Sequence, residues 1–407
     1  MTFLLSRLPR LARSTCLLLA TLAPVALHAQ IPQGRLALGG NVNERFQWAT
    51  LPILDQTHTT WLRGFMPASE FISGKRSYTT DSGVLTLKAA ADSGRKVVMS
   101  FKWDSAGKGD FGRMPGPGSK KEAEAFAFAD HLLQATSGKL TALVVVNELS
   151  IDTLPEDLAP NASGSIPVIV FLQRLTTHIA AEHLKAADGA PLPIFGGGMT
   201  RLDKLATQQS PATKAMIAFV NSDPSIAGAD YHIHQPNMET TRTAVEYMHK
   251  AVPNKPLMIT EMSLVWKWKA HLMDKVAAQP AGQAFVQQYS LPSTLTVAQF
   301  ANLAYAHPVP ESEWKQFMAS QSWFDGHYLA QLMPLLQANG VKIALYALTL
   351  DPNPSRAHQP RPITDKTVPW FFNQLLMPGM AIVSNSTRFA ENYELFDDYV
   401  HYQQAGK

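Results

Sequence analysis

Two glutamates each close a short apolar run, Leu143-Val144-Val145-Val146-Asn147-Glu148 and Pro256-Leu257-Met258-Ile259-Thr260-Glu261. Each run is apolar on both faces and rich in β-branched residues, which reads as a buried parallel strand. An unpaired carboxylate is costly to bury, so one that ends such a strand should face a cleft. In an α/β barrel the strands' C-terminal ends form the active-site face. A pair of carboxyl groups placed there can protonate a leaving oxygen and supply an anion to the carbon it leaves. That is the chemistry of glycoside hydrolysis.

The elements that must position this pair alternate along the whole chain. Strand-like runs fall near 36–42, 59–65, 96–102, 140–147, 192–197, 228–234, 256–262 and 342–348. Helical patterns fill most gaps, among them 119–137, 165–187, 240–251, 321–338 and 386–403. Eight strands with helical crossovers predict an α/β fold, a (β/α)8 TIM barrel, with an open doubly wound sheet as the alternative. The glycines Gly39-Gly40 and Gly196-Gly197-Gly198 lack dinucleotide-site spacing and read as tight turns at strand ends. Residues 264–320 exceed one crossover helix and are predicted to be an insertion over the barrel mouth.

Residues 1–29 read as a secretory signal. Arg7, Arg10 and Arg13 precede the apolar stretch Cys16 to Leu27, which is too short to span a bilayer. Removing them leaves residues 30–407 as a single catalytic domain in the periplasm or medium. Cys16 is the only cysteine, so the mature chain has no disulfide and no thiolate chemistry. The net charge of +3 resides in the leader. The balanced remainder argues against nucleic acid or stable membrane insertion and for a carbohydrate substrate met by a monomer.

The carboxylate pair has company that sharpens the reading. Arg63 lies in Trp61-Leu62-Arg63-Gly64-Phe65, and His232 and His234 lie in Tyr231-His232-Ile233-His234. In this order the motifs resemble glycoside hydrolase clan A, whose members are retaining (β/α)8 glycosidases. Within the clan the chain looks most like family 39-type bacterial exopolysaccharide hydrolases, on the Trp61–Phe65 run and the strand ending Ser100-Phe101-Lys102-Trp103-Asp104. The resemblance covers nearly all of residues 30–407. It implies Glu148 as acid/base, Glu261 as nucleophile, and Arg63, Asn147, His232 and His234 as substrate-site residues. No cofactor and no metal are implied. Two positions depart from the pattern. Leu149 stands where proline usually follows the acid/base, and strand eight offers Tyr346 where a tryptophan is usual.

Physical requirements point the same way. Arg63 beside Glu261 would keep it ionised, and Glu148 should sit where charge is disfavoured and so hold a proton. His232 and His234 share a strand face because side chains alternate. Trp103, Trp266 and Tyr346 are the expected sugar platforms, Trp370 lies beyond strand eight, and Lys102 and Asp104 flank Trp103 as rim groups. Each residue alone has a plain structural explanation; the ordered set favours catalysis. Two other functions remain: a non-catalytic glycan-binding barrel assisting exopolysaccharide export, and a metal-dependent carbohydrate hydrolase built on His232 and His234.

Overall fold

Parallel strands buried on both faces need helices outside and packed side chains inside. In the computed structural model, which describes residues 32, 34–106, 110–350, 362–384 and 387–405, eight parallel strands close into one barrel. They are β1 (Ala37–Asn41), β2 (Trp61–Pro67), β3 (Lys96–Lys102), β4 (Ala142–Val144), β5 (Ile194–Met199), β6 (Ile226–His234), β7 (Leu257–Ser263) and β8 (Val341–Ala347). Pairing follows chain order, and β8 closes on β1 with Ala37 opposite Ile343 and Asn41 opposite Ala347. The leader and Cys16 lie outside the described residues. No helix among those described is long and apolar enough to cross a membrane.

The outer helices follow their sequence signals. Lys120–Ala135 starts at Ser119, whose side chain accepts from the Glu122 amide. Glu122 then holds Arg174 of helix Pro167–Ala181 through two hydrogen bonds, at 2.6 and 2.8 Å, clamping adjacent crossovers. Met238–Ala251 begins at an Asn237 cap. The patterns at 321–338 and 386–403 yield shorter helices, Tyr328–Ala338 and Leu395–Gln404, because turns around Gly326 and Asn392 precede them.

Inside the barrel, Trp61, Val98, Ala142, Val144, Phe195, Met258, Ile343 and Leu345 form an apolar layer. They come from strand positions of one parity, so the next inward positions toward the mouth are Arg63, Phe65, Ser100 and Lys102. The layer leaves polar side chains only one way to face, which is the C-terminal end.

Two backbone irregularities shape that end. On β6 and β7, Tyr231 pairs with Ile259 but His232 pairs with Glu261, so Thr260 is an extra residue. This β-bulge reverses the parity of β7 and turns both Thr260 and Glu261 inward. On β5, Gly197 and Gly198 have φ of +125° and +59°. They are close-approach positions rather than simple turns. A Cβ on Gly198 would lie 2.5 Å from the Val146 carbonyl oxygen and 2.9 Å from the Glu148 amide nitrogen, and one on Gly197 would strike the Asp230 backbone.

Residues 264–320 form a helical lobe, with Val265–Ala270, Pro280–Gln288, Val297–Ala306 and Glu311–Ala319 packed around Phe285, Phe300, Trp314 and Phe317. The lobe braces the segment after β8 through paired two-residue strands Val309–Pro310 and Ala381–Ile382.

Gly198→Ala should cost about 2–4 kcal/mol, from the left-handed conformation and the clash with β4. Denaturant unfolding should show the lowered midpoint, whereas Gly138→Ala, an open position also at positive φ, should lose less than half as much.

Candidate active site

A cavity of about 240 Å³ opens at the C-terminal end of the strands. Its walls include Asn43, Glu44, Phe65, Lys102, Asn147, Glu148, His234, Glu261 and Trp370. Glu148 and Glu261 thus share one pocket. Both approach His232 Nδ1, Glu148 Oε1 at 3.7 Å and Glu261 Oε1 at 3.8 Å. The two carboxylate oxygens are therefore no further apart than twice that distance.

Arg63 anchors the floor of the cavity. It is fully buried and spends its planar fork on four strands' worth of partners. Nη1 donates to Glu261 Oε1 at 2.7 Å and Asn41 Oδ1 at 3.1 Å, Nη2 to Asn147 Oδ1 at 2.7 Å, and Nε to Ser100 Oγ at 3.0 Å. Asn147 passes the chain on, donating to Asp152 Oδ2 at 2.8 Å. The turn from Glu148 to Asp152 is closed by the Asp152 amide donating to the Glu148 carbonyl at 2.9 Å. Glu148 itself has φ of +29°, a strained value for a side chain other than glycine. The Leu149 amide donates to the Gly198 carbonyl at 2.9 Å. Proline lacks that N–H, which accounts for leucine at this position.

The histidines flank the pair from β6. His232 is fully buried, with Nε2 2.9 Å from Thr260 Oγ1; that hydroxyl donates to Asp230 Oδ2 at 2.9 Å. His234 lines the cavity, with Nδ1 2.8 Å from Ser263 Oγ and Nε2 3.4 Å from Glu261 Oε2. Both rings face Glu261.

Charge is strongly coupled here. Burial pushes Glu261 up, but His232, His234 and Arg63 together hold it well below the ordinary carboxylate range. Burial also pushes Glu148 up, as does the Glu261 charge, but the neighbouring His232 prevails and leaves it lowered. The expectation that Glu148 keeps its proton through local disfavour of charge is thereby reversed. The proton resides on His232, whose burial is outweighed by Glu261, Asp230 and Glu148 and which is raised to about 10. Asp152 goes the other way. Burial lifts it to about 6 despite Lys102 and Asn147.

The aromatic expectations are corrected. Trp103 shares its parity with Phe101, points away from the mouth and is 1% exposed. It packs edge-on to Phe101, Phe128 and Phe171 and donates to the Val145 carbonyl at 2.8 Å. Tyr346 is buried on the outer face of β8, beside Ala344 in the helix-facing core. Trp266 lies on the surface of helix Val265–Ala270 under Lys269, away from the cavity. The ring that does reach the cavity is Trp370, from the helical turn Trp370–Asn373, standing edge-on to His234 at 5.0 Å. None of residues 264–320 is among the residues that line the cavity. Asn41, Ser100, Asp152, Asp230 and Thr260 were not singled out from sequence. Alternation along β3 and β6 marks Ser100 and Asp230 as inward positions; nothing local marks Asp152.

No family model and no curated protein matches the sequence. Among solved structures, the chain is similar to a family 39 glycoside hydrolase from the gut symbiont Bacteroides cellulosilyticus WH2, with TM-score 0.51, 11% identity, and 94% of this chain and 66% of that one covered. It is similar to the GH10 structure from Paenibacillus barcinonensis, with TM-score 0.50, 11% identity, and 92% and 96% covered. An exo-beta-1,4-mannosidase from Opitutaceae bacterium strain TAV5 matches with TM-score 0.46 and 13% identity, over 91% of this chain and 59% of that one. The chain spans less than two thirds of the length of the mannosidase and of the family 39 enzyme. The likenesses to the family 39 and GH10 structures establish the fold alone: the protein is a (β/α)8 barrel.

Asp152→Asn should stabilise the protein more at pH 7 than at pH 4. A carboxyl whose folded pKa is raised from 3.8 to about 6 loses stability as pH climbs through that interval. Urea unfolding at the two pH values should show the gap between variant and parent widening by about 2 kcal/mol. A constant gap would contradict the assignment.

Proposed function

We propose that the protein is an exported retaining glycoside hydrolase that cleaves a β-linked poly- or oligosaccharide by double displacement. The observation that carries this reading is the convergence of Glu148 and Glu261 on one cavity, each within 3.8 Å of His232 Nδ1, with Arg63 bonded to Glu261 alone of the two. The barrel likeness to glycoside hydrolases supports the reaction class; the site residues support the roles.

Glu261, held ionised, attacks the anomeric carbon as Glu148, in the state in which it rather than His232 carries the shared proton, protonates the leaving oxygen. The glycosidic bond breaks, a glycosyl ester forms on Glu261, and the free sugar leaves. Ester formation removes the Glu261 charge, which was one of the influences raising Glu148. Glu148 therefore becomes more acidic, as a general base for the incoming water requires. Water then attacks the anomeric carbon of that ester and gives a proton to Glu148, the bond from that carbon to the Glu261 oxygen breaks, and Glu261 is released as carboxylate. Asn147, with one N–H bound to Asp152 and the other free for the cavity, is placed to hold a ring hydroxyl. Trp370 offers the aromatic surface that Tyr346 does not.

Export follows from the leader at residues 1–29, and the sugar is a neutral or weakly charged one on the evidence of overall charge balance.

A panel of polysaccharides incubated with the secreted protein should yield a substrate. On it, Glu148→Gln should slow hydrolysis by about 10²–10⁴-fold, and Glu261→Gln should slow it at least as much. Proton NMR of the first product should show the starting anomeric configuration. Near-parental activity in Glu261→Gln, or initial inversion, rejects the mechanism. Removing His232 removes what lowers Glu148. The basic limb of the kcat/KM profile, which reports loss of the acid's proton, should then move to higher pH in His232→Asn. A downward move would show that His232 does not govern that proton.

A further inference from the structure

Two ring nitrogens at the site have no hydrogen-bond partner although both are buried: His232 Nδ1 and His234 Nε2. Buried polar atoms are rarely left so, and each such case calls for a physical reason. Both atoms aim at the two glutamates, with His232 Nδ1 3.7 Å from Glu148 Oε1 and His234 Nε2 3.4 Å from Glu261 Oε2. These separations are too long for hydrogen bonds. They match the edges of a tetrahedron around an ion with bonds of about 2.0–2.2 Å. We propose that Glu148, His232 and His234, with Glu261 alongside, bind a divalent transition-metal ion of the zinc type, and that the ion excludes substrate from the cavity.

The donor set has the right chemistry. Imidazole nitrogen is a borderline ligand that suits zinc and its neighbours rather than calcium or magnesium, and carboxylate oxygen, a harder donor, completes such sites. One donor atom from each of Glu148, His232 and His234 lies within 4.8 Å of the others. An edge at that upper bound must shorten by up to about 1.5 Å for tetrahedral bonds, which rotation of the partly exposed Glu148 side chain supplies.

The far side of each ring is also built as metal-binding histidines require. His232 Nε2 is fixed by Thr260 and, through it, Asp230; His234 Nδ1 is fixed by Ser263. Such outer partners lock the ring so that the other nitrogen faces the ion. A sugar explains only half of this arrangement. His234 lines the cavity, but His232 is fully buried and absent from the lining. A small ion seated between the carboxylates reaches both. On binding, the ion displaces the proton held on His232, which passes to solvent. The ion then occupies the position the two glutamates must keep open for a sugar, so it inhibits rather than assists the proposed hydrolysis.

Binding can be tested without any substrate, so its failure is separate from failure of the hydrolase reading. Isothermal titration of the full chain with zinc chloride alone should give one ion per protein. Cobalt(II) in its place should give the visible absorption of a tetrahedral nitrogen–oxygen site. His234→Ala and Glu148→Gln should each weaken zinc at least tenfold. Thr260→Val, which leaves every ligand in place, should weaken it about 10–100-fold through loss of ring orientation. His271→Asn and His327→Asn, at exposed His–carboxylate pairs, should leave it unchanged. Where a variant folds poorly, the parent alone decides: zinc must raise its Tm and give the cobalt spectrum. No stoichiometric binding, or binding that survives both ligand substitutions in folded protein, overturns the proposal. On a substrate found independently, zinc should raise KM and a chelator should reverse the effect.

Discussion

The guanidinium of Arg63 is the constraint on which the mouth of the barrel depends. It is a charge fully removed from water, which is tolerable only when paired and hydrogen-bonded in good geometry. Its partners come from β1, β3, β7 and the segment after β4. One side chain therefore fixes the relative height of the strands and the position of Glu261 at once. Removing it would leave a buried carboxylate without its counter-ion, so the site and the closure of the barrel are a single electrostatic object. The placement of Glu261 at the mouth is a by-product of satisfying a buried cation.

The backbone makes room for that object by two local departures from regular pleating. The extra residue at Thr260 puts two successive β7 side chains on the inner face. Thr260 then serves the Asp230–His232 chain while Glu261 serves Arg63. Without the bulge, one of the two would face the helices. The glycine pair on β5 lets the backbones of β4 and β6 close in, and the Gly198 carbonyl takes the Leu149 amide. That bond holds the strained Glu148 backbone, so a conformation costly by itself is sustained by neighbours with no alternative packing.

Much of the fold was legible because buried parallel strands are written as unbroken apolar runs, and a carboxylate closing such a run stands out. Glu148 and Glu261 are visible for that reason, whereas Arg63 and the histidine pair stand out only through the resemblance to clan A. What failed was direction. Alternation along β3 already requires Lys102 to face in and Trp103 to face out, and along β8 it sends Tyr346 outward with Ala344. Strand-end aromatics were read by proximity rather than parity. Trp370 was noticed but not ranked, since the turn that carries it into the cavity lies well beyond β8. The bulge and the close-approach glycines depend on pairing between strands, which no single run of residues encodes. For a related reason the apolar residues Phe285, Phe300 and Trp314 show that 264–320 has a core, not which side of the barrel that core leans on.

The electrostatics of the site follow from placing three negative groups around the fully buried His232. Glu261, Asp230 and Glu148 all favour its proton, and a buried imidazolium then lowers both glutamates. Arg63 alone breaks the symmetry, because it bonds Glu261 and not Glu148. A pair of glutamates that would otherwise compete for one environment is thereby divided into a permanently ionised member and a member whose charge tracks its surroundings. Any event that neutralises Glu261 acts on His232 and Glu148 together. The proton inventory of the cavity is thus controlled from β7, although the proton itself is stored on β6.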